Sequence, residues 1–213
     1  MIELHTWTTP NGRKASIMLE ELQVEYSVFA VDIMKGQQFE PAFLRIAPNN
    51  RIPAIVDKES GVTLMESGAI LLYLADKHGR FIPEGRERWR TVEWLMWQMG
   101  GLGPMAGQTH HFAQFNPGIS EYAEERYLTE TSRLYGVLNN RLRNRRFIAG
   151  TGQGEYTIAD IACWPWVARF EWQRIDLANF PFVRDWYLRI ADRPAVRKGY
   201  QVPHHAGEIP LPT

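Results

Sequence analysis

Apolar and polar positions over the first eighty residues repeat with two different periods. Apolar residues at every second position predict strands, and the spacing of Ile17, Met18 and Leu22 predicts a helix. Up to residue 50, the pattern predicts in order a strand over 2–7, a helix over 13–22, a strand over 26–31 and a short helix over 41–46.

An Ile-Pro pair then opens a run of β-branched and apolar residues. Pro53 lacks a backbone donor and restricts Ile52 to an extended conformation. Residues 54–56 and 62–65 predict two short antiparallel strands joined by a Ser-Gly turn, and a helix that ends near Gly79 follows them. The resulting order, βαβ, then α, then ββα, is typical of a thioredoxin-like domain.

The corner where this hairpin meets the next helix is a candidate ligand site. Ser67 stands where an N-cap belongs, directly before the apolar run 69–74, and Glu66 precedes it. Extended backbone at Ile52 can pair with a peptide, and helix N–H groups can hold a carboxylate. Such a corner suits a small zwitterionic peptide, although composition alone fits a corner without a ligand equally well.

Helical spacing replaces the strand pattern from residue 86 onward. Thr157 and Asp160 have the spacing of a capping box, and the glycine-rich run 100–104 is expected to break a helix or to allow close packing. The predicted helices lie around 89–99, over 122–142 and over 182–190. We therefore predict an α/β domain over 1–80, an all-helical domain over 86–202 and an extended tail over 203–213.

Composition narrows the class of protein. The 213 residues include 24 basic and 24 acidic side chains, so no overall charge recruits nucleic acid or an anionic membrane. The N-terminus lacks the pattern of a signal peptide, and no apolar run reaches the roughly 18–20 residues that span a bilayer. We expect a soluble cytoplasmic protein that binds neither nucleic acid nor membranes.

Residues that often carry redox or metal chemistry are few. Cys163 is the single cysteine and lies among large apolar residues, which favours a buried structural role over a reactive thiol. If the protein performs thiol chemistry, the thiol therefore comes from its ligand. His110 and His111 are adjacent and point to different faces, so we expect no metal site.

Five motifs in order resemble those of the glutathione transferases, in particular the bacterial Nu-class branch of glutathione-dependent disulfide-bond oxidoreductases. The motifs are Thr9-Pro10-Asn11-Gly12, Pro48 to Pro53, Glu66 to Ile70, Gly100 to Met105 and Tyr156 to Ala162. The resemblance covers nearly the whole chain. It implies an N-terminal thioredoxin-like, glutathione-binding domain followed by a C-terminal helical bundle, and a homodimer.

The resemblance also implies which residues form the site. Many transferases activate the thiol with a tyrosine, serine or cysteine after the first strand, but the loop over 7–12 contains none of these. The resemblance assigns Asn11, with Thr9, to contact the glutathione sulfur, although Asn11 also suits an ordinary N-cap. It assigns the remaining substrate contacts to Gln38, Arg51, Ile52, Pro53, Glu66, Ser67 and Arg126.

Within that set, each residue has an implied partner. Ile52 pairs its backbone with the cysteinyl unit beside a cis Pro53, Ser67 binds the γ-glutamyl carboxylate, and Glu66 binds its ammonium. Gln38 and Arg51 reach the glycyl end or a second glutathione. Arg126 contacts ligand as well, although its position in the sequence is also that of a surface helix charge.

The leading hypothesis is glutathione-dependent reduction of small or mixed disulfides, with glutathione or oxidised glutathione and a small disulfide as ligands. Two alternatives stay open at this point. One is conjugation of glutathione to an electrophile, or reduction of a peroxide. The other is a glutathione-binding regulatory protein without catalysis.

Overall fold

The structure is a computed structural model that describes residues 1–212. The chain divides into two compact units. The first unit comprises Met1–Arg80 and Asp192–Ile209, and the second comprises Phe81–Ala191 with the segment that begins at Pro210.

A four-stranded mixed sheet forms the centre of the first unit, with strand order β2-β1-β3-β4. β1 pairs parallel with β2 and antiparallel with β3, and β3 pairs antiparallel with β4. Alternate residues of β1 are fully or almost fully buried, as expected for a strand with one face against a core. The strands are β1 (Ile2–Thr6), β2 (Tyr26–Ala30), β3 (Ala54–Asp57) and β4 (Val62–Met65).

Three helices accompany this sheet: α1 (Pro10–Leu22), α2 (Pro41–Leu44) and α3 (Ser67–His78). α1 begins three residues earlier than the spacing predicted, because Pro10 already has the fixed φ angle that suits a first helical turn. α3 ends as predicted at Gly79, whose φ of 61° is left-handed. The thioredoxin-like prediction for this part of the chain is confirmed.

The second unit is helical, which confirms the other half of the fold prediction. Its α-helices are α4 (Gly85–Trp97), α5 (Gly103–Thr109), α6 (Glu121–Leu142), α7 (Ile158–Val167) and α8 (Pro181–Ala191). All ten residues of α7 are buried. Its N-terminus carries the predicted capping box, in which Thr157 caps the first turn and Asp160 accepts from the Thr157 N–H at 3.0 Å.

The glycine-rich run does not break the helix as the sequence predicted. A π-helical segment, Gln98–Leu102, joins α4 to α5, and the residues at its ends keep right-handed helical dihedral angles. Close packing explains one glycine, because a Cβ at Gly103 would lie 2.7 Å from Nε2 of Gln98. The π turn absorbs the proline at the start of α5, where its missing N–H costs little.

The last helix, α9 (Pro194–Tyr200), packs on α1 within the first unit. The two backbones approach closely, since a Cβ at Gly199 would lie 2.7 Å from Cα of Ile17. The Ser16 hydroxyl also donates to the Gly199 carbonyl at 2.7 Å. The sequence predicted no helix over 194–200 and included this segment in the domain over 86–202, because composition does not indicate against which partner a segment packs.

The segment after α9 contains no further helix or strand up to residue 212, and Thr213 of the predicted tail lies outside the described residues. No helix among residues 1–212 is both long and apolar enough to cross a membrane.

Candidate functional site

Strand register brings three segments of the first unit to the same end of the sheet. His5 of β1 pairs with Ala54 of β3, so the residues that follow β1 lie beside those that precede β3. Ala54 also pairs with Met65 of β4, which places the start of α3 at this end. The predicted site residues Thr9, Asn11, Ile52, Pro53, Glu66 and Ser67 all belong to these segments.

Thr9 is the N-cap of α1. Its Oγ1 accepts from the Gly12 N–H at 3.1 Å, and its carbonyl accepts from the Arg13 N–H at 3.0 Å. Asn11 is the second residue of the helix, so the alternative that Asn11 is the N-cap is wrong. The cap comes two residues earlier because β1 ends at Thr6 and the turn is short.

Gly12 allows α1 to begin very close to β1. A Cβ at this position would lie 2.1 Å from the carbonyl oxygen of Trp7 and 2.5 Å from Oγ1 of Thr6. No side chain fits there without moving the turn. Gly12 belongs to a motif in the sequence, but only the packing reveals its role.

The Ile52–Pro53 peptide bond is cis, as the family resemblance implied. Pro53 is buried and Arg51 is exposed. The Ile52 side chain is partly buried against an apolar cluster that includes Val31 and Phe43. Ile52 itself precedes the first residue of β3, so its backbone lies at the end of the sheet.

The start of α3 differs from the prediction by one residue. Glu66 occupies the N-cap position and Ser67 is the first residue of the helix, so the prediction that Ser67 is the cap is wrong. Glu66 is exposed and has a φ of 68°, which is unusual for a residue with a side chain. Such backbone outliers often lie in ligand sites. Asn49 Nδ2 donates to Glu66 Oε1 at 3.4 Å.

Ser67 is buried although it begins a helix. The Lys14 ammonium donates to Ser67 Oγ at 3.2 Å, and this lysine is itself only 1% exposed. Lys14 was not among the predicted site residues. Its position in α1 predicted a helical residue only, and no signal in the sequence indicated that its side chain reaches α3.

Gln38 and Arg126 lie outside these three segments. Gln38 belongs to a short 3₁₀ turn, and no donor among residues 1–212 lies within hydrogen-bonding distance of its buried Oε1. Arg126 is exposed on α6 of the second unit, where it lines a groove of about 520 Å³ with Tyr122 and Tyr127.

Cys163 and His110 are both buried in the second unit. Cys163 is 0% exposed within α7, which confirms the predicted burial. His110 stacks on Trp166, with ring centroids 5.6 Å apart, and contacts the amide of Gln173 at 3.1 Å. Burial, together with the charge of Arg169, lowers the pKa of His110 to about 4. The described residues contain no cluster of three or more metal-ligating side chains.

Two family sequence models match the chain. The glutathione S-transferase N-terminal domain matches residues 1–76, and the glutathione S-transferase C-terminal domain matches residues 102–194. The first match covers all the predicted site residues except Arg126, which falls in the second.

Individual relatives are similar over most of their length. The chain is 54% identical to the disulfide-bond oxidoreductase YfcG of Escherichia coli over 201 residues, which cover 92% of each protein. It is 37% identical to the disulfide-bond oxidoreductase YghU of the same organism, covering 93% of this chain and 73% of that protein.

Solved structures of relatives contain glutathione. A Pseudomonas putida glutathione transferase with one glutathione disulfide per subunit has a TM-score of 0.89 and 39% identity, covering 95% of this chain and 91% of that one. A Burkholderia graminis transferase with two glutathione molecules per subunit also has a TM-score of 0.89, with 40% identity and coverage of 96% and 89%.

Proposed function

Because this chain belongs to the glutathione S-transferase family, we propose that it reduces disulfide bonds with glutathione and without a protein cysteine. The observation that carries the proposal is the burial of the chain's single cysteine, Cys163, inside α7. A thiol without solvent contact is not available to attack a substrate. The names of the two Escherichia coli relatives support the reaction class.

In this proposal, Thr9 and Asn11 hold the glutathione sulfur as a thiolate. The Thr9 hydroxyl accepts from the Gly12 N–H, so its own proton can be donated to an anion. The Asn11 amide is a second donor, and the N-terminus of α1 adds a positive partial charge. Lowering a thiol pKa from about 8.5 by two units stabilises the thiolate by about 2.7 kcal/mol.

The rest of the tripeptide binds along the same end of the sheet. The backbone of Ile52 pairs with the cysteinyl unit, Ser67 and the start of α3 bind the γ-glutamyl carboxylate, and Glu66 binds its ammonium. Gln38 and Arg51 provide contacts to the glycyl end or to a second glutathione. Arg126 is a further proposed ligand contact.

The reaction consists of two thiol–disulfide exchanges. The first glutathione thiolate attacks one sulfur of the substrate disulfide, which forms a mixed disulfide and releases the other sulfur as a thiolate that takes up a proton. A second glutathione thiolate then attacks the mixed disulfide and yields glutathione disulfide and the second substrate thiol. Two glutathiones are oxidised for each disulfide reduced, which agrees with relatives that hold two glutathiones or one glutathione disulfide per subunit.

The test compares two reactions in the unsubstituted protein and in a Cys163→Ala variant. Glutathione-dependent reduction of 2-hydroxyethyl disulfide is measured beside conjugation of 1-chloro-2,4-dinitrobenzene. We expect disulfide reduction to dominate and to persist in the variant. Loss of reduction in a folded Cys163→Ala variant would contradict the role of the ligand thiol. Dominant conjugation would assign the chain to the conjugating transferases, and glutathione binding without either activity would indicate a regulatory protein.

A further inference from the structure

Lys14 is a buried cation next to the proposed carboxylate-binding residue. It lies in the second turn of α1, and only 1% of the residue is exposed. A lysine is rarely buried to this extent, because removing an ammonium from water is costly unless hydrogen bonds and negative charge compensate for it. The burial of Lys14 therefore directs attention to the group that its ammonium contacts, the Ser67 hydroxyl.

The hydrogen bond between Lys14 and Ser67 fixes the direction of the serine hydroxyl. The ammonium donates to Ser67 Oγ across 3.2 Å, and an ammonium cannot accept. The hydroxyl proton therefore points away from Lys14, toward a different acceptor. A hydroxyl that accepts from a cation is also a stronger donor, since successive hydrogen bonds polarise one another.

A carboxylate and a hydroxyl that is backed by a cation stand on successive residues at the start of α3. Glu66 carries an exposed carboxylate, whereas Ser67 is backed by the Lys14 ammonium and lies at the positive end of the helix. An α-amino acid group has an ammonium and a carboxylate on the same carbon atom. A γ-glutamyl peptide keeps both groups, whereas an ordinary α-linked peptide uses the carboxylate in its peptide bond.

From this arrangement we infer that Lys14 is a positioning residue that makes the site selective for the free α-carboxylate of a γ-glutamyl ligand. It acts through Ser67, by orienting the hydroxyl and by adding positive charge behind it. The inference rests on the proposed function, because it assumes that the ligand is glutathione. It adds a reason why the site would reject peptides that lack this carboxylate.

The test combines protein variants with ligand analogues in calorimetric titrations. The ligands are glutathione, 4-aminobutyryl-cysteinylglycine, which lacks the α-carboxylate, and glutaryl-cysteinylglycine, which lacks the α-amine. Lys14→Met removes the charge with little change in shape. Lys58→Met is the matched control, because Lys58 is an exposed lysine of the same unit whose ammonium forms an ion pair with Glu3 across 3.0 Å.

We expect Lys14→Met to weaken binding of glutathione and of the glutaryl analogue by about tenfold or more, as for a lost hydrogen-bond network to a charged group. Binding of the 4-aminobutyryl analogue should stay within about twofold, and Lys58→Met should change none of the three affinities. Equal weakening of all three ligands would overturn the inference, because it would indicate a purely structural role. If the unsubstituted protein binds none of them, the proposed function fails instead.

A measurement on the unsubstituted protein covers the case in which Lys14→Met does not fold. The ¹⁵N resonance of the buried ammonium should move on addition of glutathione and stay in place on addition of the 4-aminobutyryl analogue. Equal movement with both ligands, or none with bound glutathione, would contradict the inference. Lys14→Gln, which keeps a donor for Ser67 without the charge, is expected to recover less than the full affinity.

Discussion

Thr9 has two functions at the start of α1 that a single pair of substitutions can separate. Its oxygen caps the helix by accepting from the Gly12 N–H, and its proton is the proposed donor to the sulfur. Asp and Asn have nearly the same size, and both are good N-caps, but only Asn carries donor hydrogens and no charge.

We therefore predict that Thr9→Asn and Thr9→Asp retain stability to within about 0.5 kcal/mol, whereas Thr9→Ala loses about 1 kcal/mol. Thr9→Asp should lower disulfide reduction by about tenfold or more, because its carboxylate repels a thiolate. Thr9→Asn should retain most of the activity. Urea unfolding and initial rates measure the two effects, and equal activity of the Asp and Asn variants would contradict the donor role.

A second prediction concerns Asn11. Asn11→Ala should reduce the turnover number by about tenfold or more and change the glutathione dissociation constant by less than about threefold, because a donor to a developing charge acts mainly on the chemical step. Rapid kinetics and calorimetry separate the two quantities. Asn179→Ala, an exposed asparagine of the second unit, is the control. A variant with the full rate would remove Asn11 from the mechanism.

At the scale of elements, the contact between β1 and α1 depends on the absence of a side chain at Gly12. The positions of Thr9 and Asn11 depend on the short distance between the end of β1 and the start of α1. A Cβ at Gly12 would lie 2.1 Å from the Trp7 carbonyl oxygen and would increase this distance. Displacements of about 1 Å are enough to reduce catalysis by about a hundredfold.

We accordingly predict that Gly12→Ala lowers both the melting temperature and disulfide reduction, the latter by about a hundredfold. The matched control is Gly136→Ala in α6, where a Cβ would meet no heavy atom within 4 Å apart from its chain neighbours and the backbone of its own helix. That substitution should raise stability by up to about 1 kcal/mol, because glycine is unfavourable in a helix. Thermal melts and initial rates test both, and normal activity of Gly12→Ala would disprove the close-packing argument.

Contacts between elements also explain why some helix starts were predicted correctly and others were not. The capping box of α7 was predicted because its two side chains bond to their own local backbone. The caps of α1 and α3 were each misplaced, since the end of a neighbouring strand determines where these helices begin. Local chemistry is visible in the sequence, whereas a boundary set by a neighbouring strand is not.

At the scale of the whole molecule, two buried groups of the second unit make stability depend on pH in opposite directions. Burial raises the pKa of Asp160 to about 6, although it accepts hydrogen bonds from Ile148, Trp186 and Thr157. His110 has its pKa lowered to about 4. Between these values, the native state binds a proton at Asp160 and none at His110, and the unfolded state does the reverse.

The contribution of His110 to the free energy of unfolding therefore rises by roughly 3 kcal/mol as the pH increases from about 4 to 6.5. The contribution of Asp160 falls by roughly the same amount as the pH increases from about 3.8 to 6. Relative to the unsubstituted protein, we predict that His110→Phe loses the rising contribution and becomes relatively less stable as the pH rises. Asp160→Asn should show the opposite trend. Urea unfolding from pH 4 to 7 measures this, and parallel profiles of the two variants would contradict it.

The assembly of the molecule gives a further prediction. The family resemblance implies a two-fold homodimer, so light scattering should give a mass of twice 24.7 kDa. The measurement is made over a dilution series, because a dimer that depends on concentration shifts toward monomer on dilution. A constant mass of one chain would contradict the expectation.

The classes of element, the two-part fold, the family and the burial of Cys163 were all predictable from the order of residues along the chain. These features follow from periodicity, turn residues and motifs that act over a few neighbouring positions. Three features became visible only in the folded chain: α9 packs on α1, Gly12 allows the close start of α1, and Lys14 reaches Ser67. Ser16 and Gly199 lie 183 residues apart in the chain, and Lys14 and Ser67 lie 53 apart, so no local pattern specifies these pairs. The contact at Gly12 joins residues that are near in sequence, but it depends on the path of the turn after β1, which the pattern of apolar positions does not specify.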